Sequence, residues 1–110
     1  MFEEQIKAGQ ICKEMSFNQK VWALTARIPR GRVVTYADIA HKLGTKAYRA
    51  VGNALNCNPY APAVPCHRVV GSDGSLTGFA CGVEKKRELL MEEGVVVKRW
   101  KADLGSRFSF

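Results

Sequence analysis

The hydrophobic positions of the chain first recur with helical spacing in the segment that begins at Ser16. Apolar residues three or four positions apart give this segment one buried face: Phe17, Val21, Leu24 and Ile28. Ser16 and Gln19 match a capping box, in which each side chain accepts a hydrogen bond from the other residue's backbone amide. Pro29 and Gly31 interrupt the pattern, so we predict a helix that ends before them.

Two further helices are predicted close together in the middle of the chain. Thr35 can cap the first, with the carboxylate of Asp38 three positions later, and Gly44 ends it at about Leu43. The second follows almost at once, and small or apolar residues form its buried side: Ala47, Ala50, Val51, Ala54 and Leu55. Short helices joined by a tight glycine turn predict a helix-turn-helix unit.

The opposite face of the second of these helices is basic and polar. It carries Lys46, Arg49, Gly52, Asn53 and Asn56 at helical spacing. A glycine inside a helix costs about 1 kcal/mol relative to alanine, so Gly52 needs a reason. Two interpretations stay open: the gap admits a DNA backbone, or the face is solvated and the glycine serves internal packing.

The rest of the pattern predicts β-structure and one more helix. The segment from Asn56 to Pro65 is an ordered loop, since prolines exclude a helix. Cys66 to Val70 is predicted as a short strand, with a turn at Gly71 to Gly74 and a return strand at Ser75 to Thr77. A helix from about Val83 to Glu93 ends at Gly94, and Val95 to Val97 is a final short strand.

These elements predict a mostly α, winged-helix-like helix-turn-helix domain with a small β wing. We expect it to span residues 16–97, preceded by a mixed-charge lead-in of residues 1–15 and followed by a tail of residues 98–110. A chain of 110 residues with 46% hydrophobic content suits one compact domain. It shows neither a run of about 18 apolar residues nor a secretory signal, which predicts a soluble intracellular protein without a membrane partner.

The positive charge is concentrated in the middle of the chain. Of the net charge of +7, the segment from Met15 to Val83 holds +6, with eight lysines or arginines against Asp38 and Asp73. Such a segment attracts polyanions by releasing their counterions, so nucleic acid is the leading partner. A basic surface that only confers solubility is the alternative.

The four cysteines form no Cys-x-x-Cys pair and no framework typical of secreted proteins, so we expect reduced thiols. Cys57, Cys66, His67 and Cys81 also match no standard zinc spacing, and we expect no metal or other cofactor. Cys66 and His67 are adjacent in Pro65-Cys66-His67-Arg68-Val69. An imidazole can deprotonate a thiol into a nucleophile, although most Cys-His pairs consist of a buried cysteine and a structural histidine, so the pair alone is a weak signal.

At this point the sequence resembles the C-terminal domain of the alkylguanine-DNA alkyltransferases, also called methylated-DNA-protein-cysteine methyltransferases. The resemblance runs from about Phe17 to Gly94. It rests on five motifs in order: Val34-Thr35-Tyr36, Arg49 to Ala54, Asn58-Pro59, Pro65 to Val69, and Leu89-Leu90 followed by Glu93-Gly94.

The resemblance implies a direct repair reaction without a cofactor. Cys66 takes an alkyl group from the 6-oxygen of guanine in DNA, and the resulting thioether makes each molecule act once. His67 is implied as the water-linked base, Glu93 as the carboxylate that holds His67, and Asn58 as a brace of the same network. Tyr36 is implied as the proton donor to the leaving guanine.

The resemblance also implies how double-stranded DNA with an alkylated guanine is bound. The recognition helix enters the minor groove, where Ala50, Gly52 and Asn53 lie on its surface, and Arg49 fills the space left by the extruded nucleotide. Tyr36 crowds a backbone phosphate, and Arg68 with other basic residues contacts further phosphates. We expect a monomer.

The base pocket is implied to include Tyr36, the carbonyls of Cys66 and Val69, Phe79 and the backbone amide of Ala80. Here the chain departs from the family, which usually has a small residue and two glycines after the aromatic position. This chain has Phe79-Ala80-Cys81-Gly82, so a second thiol lies near the pocket.

The chain also lacks the extra N-terminal domain that most members of the family carry, and in this it resembles the alkyltransferase-like proteins. Those bind damaged DNA without transfer and typically have tryptophan at the position of Cys66. Because the cysteine is present, we expect a catalytically complete chain. A non-catalytic damage sensor and a winged-helix transcription regulator remain alternatives.

Overall fold

A computed structural model describes residues 2–61, 63–76 and 82–110 of the chain. These residues contain five α-helices: α1 (Glu3–Lys7), α2 (Phe17–Ala26), α3 (Tyr36–Lys42), α4 (Tyr48–Asn56) and α5 (Val83–Glu92). They also contain four two-residue strands: β1 (Val34–Thr35), β2 (Val69–Val70), β3 (Val97–Lys98) and β4 (Lys101–Ala102). The predicted fold, mostly α with a small β wing, is confirmed.

Both predicted capping boxes are present. The Gln19 amide donates to Ser16 Oγ over 3.2 Å, and the Ser16 amide donates to Gln19 Oε1 over 2.9 Å. The Asp38 amide donates to Thr35 Oγ1, and the Thr35 amide donates to Asp38 Oδ2. Helix α3 reaches its C-cap at Leu43, and the next residue, Gly44, has a φ of +74°, which glycine adopts without steric cost.

Helices α2, α3 and α4 pack around one apolar core. Its fully buried residues include Val21, Leu24, Val34, Ile39 and Val51. The indole of Trp22 in α2 donates to the carbonyl of Ala54 over 2.7 Å, which satisfies an acceptor near the C-terminal end of α4. Helix α4 is therefore anchored to the core along one face, and its opposite face points to solvent.

The segment that begins at Cys66 was predicted as a strand, and that is wrong for its first three residues. Cys66–Arg68 is a single 3₁₀ turn, closed by the Arg68 amide on the carbonyl of Pro65. Strand β2 starts only at Val69, where it pairs in parallel with β1 through Val34↔Val69 and Thr35↔Val70. Pro65 has no backbone N–H for a ladder, so a turn satisfies the local carbonyl better than a strand would.

The wing also differs from the prediction. The turn at 71–75 is present, with the Gly71 amide on the Ser75 carbonyl, but Ser75 pairs with Lys101 rather than extending a hairpin with β2. The strand predicted at Val95 to Val97 begins at Val97 and forms an antiparallel hairpin with β4, which the sequence analysis missed. Thr77, at the end of the predicted return strand, lies outside the described residues.

The segments that flank residues 16–97 both contribute to the interior. Ile6 of α1 is fully buried in a cluster with Met15, Ala23 and Val64. At the other end, Phe108 and Phe110 pack against the main core. In the described ranges, no helix is long and apolar enough to span a membrane.

Candidate active site and DNA-binding face

Cys66 is positioned by the loop that precedes it. The carbonyl of Val64 accepts two hydrogen bonds of 2.9 Å, one from the Cys66 amide and one from the side-chain amide of Asn58. The side-chain oxygen Oδ1 of Asn58 in turn accepts a hydrogen bond from the Tyr60 amide. Asn58 thus bridges the loop and holds the turn that presents Cys66, without direct contact to the histidine network in the hydrogen bonds seen here.

The pairing of β1 with β2 joins the segment that carries Tyr36 to the segment that carries Cys66. Tyr36 is the first residue of α3 and follows β1 directly, while Cys66 stands just before β2. Because Val34 pairs in parallel with Val69, Tyr36 follows the carboxyl end of β1 and Cys66 precedes the amino end of β2, so the ladder ties the two segments together from opposite ends. Tyr36 and Cys66 are both half-buried and pack against the same core.

His67 and Glu93 form a buried pair next to Cys66. His67 Nε2 lies 3.0 Å from Glu93 Oε2, and the two side chains are 5% and 7% exposed. An ionised carboxylate only accepts, so Nε2 carries the proton and Nδ1 of the neutral ring keeps its lone pair. Burial lowers the pKa of His67 below its usual value and so favours the neutral ring. The hydrogen bond and the charge of Glu93 act in the opposite direction but are outweighed.

Arg68 points into the protein and binds the same carboxylate. Its Nε donates to Glu93 Oε1 over 2.8 Å and one terminal nitrogen donates to Oε2 over 2.6 Å. The other terminal nitrogen donates to the carbonyl of Ile28. All three guanidinium nitrogens have partners inside the protein and the side chain is only 15% exposed. This geometry does not favour the phosphate contact expected for Arg68.

The Glu93 carboxylate is therefore strongly held in its ionised form. Burial opposes ionisation, but the hydrogen bonds from Arg68 and His67 outweigh it and lower the pKa of Glu93 to about 2. The carboxylate can orient His67 and stabilise its protonated form during a proton transfer.

Lys86 is a site residue that the sequence analysis missed. It lies on α5, is 1% exposed, and its Nζ donates to the Tyr36 hydroxyl over 3.5 Å. Burial lowers its pKa to about 8, and a negative charge on Cys66 acts in the opposite direction. The signal was available: Lys86 precedes the buried Leu90 by four positions and so shares its inward face.

The outward face of α4 is as polar as predicted. Lys46, Arg49, Asn53 and Asn56 are exposed, and Ala50 is half-buried. Ala47 was expected on the buried side and is exposed, because α4 begins only at Tyr48 and Ala47 is its N-cap.

Gly52 lies in the middle of this face and serves no internal packing that the described residues show. A Cβ built at Gly52 meets no atom of the described residues within 4 Å. This open space argues against an internal packing role for Gly52, and it is compatible with a solvated face as well as with the approach of DNA.

The predicted base pocket is described in part by the structure. Phe79, Ala80 and Cys81 lie outside the described residues. The side chain of Val69 is buried in the core, and its amide donates to the carbonyl of Cys66. Across residues 2–61, 63–76 and 82–110, no group of three His, Cys, Asp or Glu side chains could hold a metal ion.

Fold and site together define a winged-helix-like helix-turn-helix domain that carries a half-buried cysteine beside a buried histidine–glutamate pair. The family model of the 6-O-methylguanine DNA methyltransferase DNA binding domain matches residues 16–95. The chain therefore belongs to this family.

Individual relatives agree with this assignment. The methylated-DNA–protein-cysteine methyltransferase of Methanosarcina barkeri is 51% identical over 78 residues, which are 70% of this chain and 49% of that protein. The chain spans about half the length of the curated relatives it matches.

Two solved structures share the fold. The O6-methylguanine-DNA methyltransferase of Pyrococcus kodakaraensis is 44% identical with a TM-score of 0.67, over 74% of this chain and 48% of that one. S. pombe Atl1, bound to damaged DNA containing O6-carboxymethylguanine, is 30% identical with a TM-score of 0.76, over 84% of this chain and 94% of that one.

Proposed function

We propose that the protein repairs DNA directly, by moving an alkyl group from the 6-oxygen of guanine to the sulfur of Cys66. The observation that carries this proposal is the buried hydrogen bond between His67 and Glu93, immediately after a half-buried cysteine. A neutral imidazole held by an ionised carboxylate is a general base suited to a thiol. Family membership supplies the substrate class.

The reaction is a single displacement. His67 Nδ1 takes the thiol proton of Cys66, directly or through a water, and the thiolate attacks the alkyl carbon. The bond between that carbon and the guanine oxygen breaks, its electron pair remains on the base, and a proton from Tyr36 makes the leaving guanine neutral. The thioether is inert to water, so one molecule accepts one group.

Lys86 is proposed to assist both ends of this displacement. Its buried ammonium lies beside the Cys66 thiolate and the Tyr36 hydroxyl, so it stabilises negative charge on either group. A lysine whose pKa is about 8 is also able to return a proton to Tyr36 after the transfer.

We propose that the substrate is duplex DNA with an alkylated guanine turned out of the stack. Helix α4 enters the minor groove, with Gly52 at the point of closest approach and Ala50 and Asn53 beside it. Arg49, which is exposed at the start of α4, fills the vacated space, and Tyr36 crowds the adjoining phosphate. The protein acts as a monomer, inside the cell where DNA is found.

We further propose that residues 16–97 form the catalytic unit, with residues 1–15 and 98–110 packed against it. Every residue with a proposed role in the chemistry lies between Tyr36 and Glu93. The 110-residue chain is therefore expected to be active by itself.

Intact-mass spectrometry tests the proposal. The chain is mixed with a duplex oligonucleotide that contains one 6-O-methylguanine, and peptides are mapped after the reaction. We expect the mass of one methyl group per molecule, located on Cys66, and no further gain with excess DNA. Tight binding without a mass gain would contradict transfer and favour a damage sensor, while a footprint limited to one DNA sequence would favour a transcription regulator.

A further inference from the structure

The segment around Arg107 runs alongside the strand that leads to Tyr36. The Val33 amide donates to the carbonyl of Ser106 over 3.0 Å, and the Phe108 amide donates to the carbonyl of Val33 over 2.7 Å. Val33 and Arg107 are thereby paired in parallel on the edge of β1 that faces away from β2. The C-terminal segment thus forms a one-residue bridge to the chain just before β1.

Arg107 forms a two-pronged ion pair with Asp38, whose carboxylate is part of the capping box of helix α3. Its Nε donates to Asp38 Oδ2 over 2.9 Å, and a terminal nitrogen donates to Oδ1. The same Oδ2 accepts the backbone amide of Thr35 over 2.9 Å. One oxygen therefore joins the guanidinium of Arg107 to the N-cap of α3.

Tyr36 immediately follows this N-cap. Helix α3 has seven residues, so the orientation of its first turn depends on few bonds: the capping box, the β1–β2 pairing and the Arg107 contact. A fork-shaped, charge-assisted contact constrains the carboxylate in direction as well as in distance.

The anchoring of the segment does not depend on Arg107. Phe108 and Phe110 pack against the main core and meet each other edge to face, with ring centroids 5.7 Å apart. The Arg107 side chain is 49% exposed, so removing it opens no cavity. Its contribution can therefore be tested in a folded protein.

We propose that Arg107 is a positioning residue for alkyl transfer, acting through Asp38 and Thr35 on the orientation of Tyr36. The inference rests on the proposed function. Arg107 lies outside residues 16–95, so the family match does not assign it a role.

A simpler alternative is that Arg107 is one more phosphate contact. His41, Lys42 and Arg107 line the same open groove of about 470 Å³, where a backbone phosphate would meet positive charge. The two roles predict opposite results at Asp38. If Arg107 positions Tyr36, loss of the Asp38 carboxylate frees Tyr36 and slows transfer. If Arg107 contacts a phosphate, the same loss removes a charge that repels DNA and strengthens DNA binding.

Single-turnover transfer from a methylated duplex separates the two roles, with Arg107→Ala, Arg107→Lys, Asp38→Asn and the charge-matched control Lys98→Ala. We expect Arg107→Ala and Asp38→Asn each to lower the saturated rate constant roughly two- to fivefold, as expected for a partly exposed ion pair. The DNA concentration at half-saturation and the number of methyl groups accepted per molecule stay unchanged. Arg107→Lys recovers part of the rate, and Lys98→Ala leaves it unaltered.

Combining variants tests the route through Tyr36. In a Tyr36→Ala background, Arg107→Ala should have no further effect on the saturated rate constant, because the group being positioned is gone. Additive losses in that background would overturn the inference, as would a weaker salt dependence of binding in Arg107→Ala or faster transfer by Asp38→Asn. A lower yield of methylated protein at an unchanged rate would reveal only a structural role and would also overturn it. No transfer by the unmodified chain would instead overturn the proposed function itself.

Discussion

The cysteine site and the outward face of α4 are built in opposite ways. Around Cys66, the side chains of His67, Arg68 and Glu93 are nearly buried, and Glu93 accepts hydrogen bonds from both of the others. On α4, Arg49, Asn53 and Asn56 are exposed to solvent, as is Lys46 just before the helix, and Gly52 leaves an open gap. In the part of the chain that the structure describes, the polar groups of the first region bond mainly to the protein, whereas those of the second are left to solvent.

This difference separates chemistry from recognition. A buried, prearranged network avoids reorganisation when charge moves during the reaction. An exposed basic face binds a polyanion through charges that stay solvated until contact. Substitutions in the two regions should therefore fail in different ways.

The largest effect is expected where the nucleophile is removed. Cys66→Ala should abolish methyl transfer while leaving affinity for methylated duplex within about twofold, because the thiol makes no phosphate contact in the proposed complex. Intact mass and fluorescence anisotropy measure the two properties. Cys57→Ala is the matched control, since Cys57 is an exposed free thiol and should transfer normally. Residual methylation of the Cys66→Ala protein on another cysteine would break the distinction.

The next effect concerns the carboxylate. Glu93→Gln should slow transfer by about 10²- to 10⁴-fold, the usual loss when a general base is no longer supported. The rate must be scaled to folded protein, because Arg68 keeps a mostly buried charge without its anion. Glu92→Gln, on the neighbouring residue at the end of α5, is the control. An unchanged rate in Glu93→Gln would show that the thiol is activated by another group.

The same carboxylate should also give the buried site a signature in acid. The pKa of Glu93 falls from 4.5 to about 2 on folding, so its stabilising effect is complete above pH 4.5 and is lost as the pH falls towards 2. We expect the difference in unfolding free energy between the unmodified protein and Glu93→Gln to shrink by about 3 kcal/mol across that window. Urea unfolding at several pH values measures it, and a constant difference would contradict the ion pair.

A smaller and more selective loss is expected on α4. Arg49→Ala should slow transfer from duplex by roughly 10- to 100-fold, with much less effect on transfer from a single strand or the free base, since only the duplex leaves a hole to fill. Lys46→Ala is the control: it removes a charge from the same face and should alter salt dependence alone. Equal losses with all three substrates would reduce Arg49 to an electrostatic contact.

The smallest effect is expected for Gly52→Ala, which should change the stability of the protein and its affinity for DNA in opposite directions. Gly52→Ala should raise the unfolding free energy by up to about 1 kcal/mol, because alanine favours the helix and its Cβ meets nothing among the described residues. The same Cβ should weaken duplex binding. Thermal unfolding and anisotropy give the two values, and an unchanged affinity would remove Gly52 from the proposed interface.

The sequence allowed α2 to α5 to be predicted well because their signals are local, whereas α1, in the segment expected to be a lead-in, was missed. Ser16 with Gln19 and Thr35 with Asp38 specify helix starts through contacts three residues apart, and Gly44 and Gly94 specify ends through positive φ angles. The proximity of His67 and Glu93 came from the family resemblance, since 26 residues separate them in the chain.

What was missed depends on contacts between distant segments. The direction of Arg68 is set by Glu93 and by the carbonyl of Ile28, 40 residues away. The bridges between Val33 and Arg107 and between Ser75 and Lys101 depend on tertiary packing. Such short pairings leave no alternating pattern of apolar residues in the sequence from which they could be predicted. Lys86 was overlooked because lysine is usually exposed, although the helical spacing placed it inward.

The triple role of Glu93 bears on how the family can diverge. One carboxylate orients His67, neutralises Arg68 and thereby ties the cysteine turn to the loop after α2. A lineage that exchanged Arg68 or Glu93 alone would pass through a protein with an unpaired buried charge, which costs more than most single substitutions. Arg68 and Glu93 should therefore change together, whereas exposed residues without a proposed contact, such as Asn56, can change one at a time.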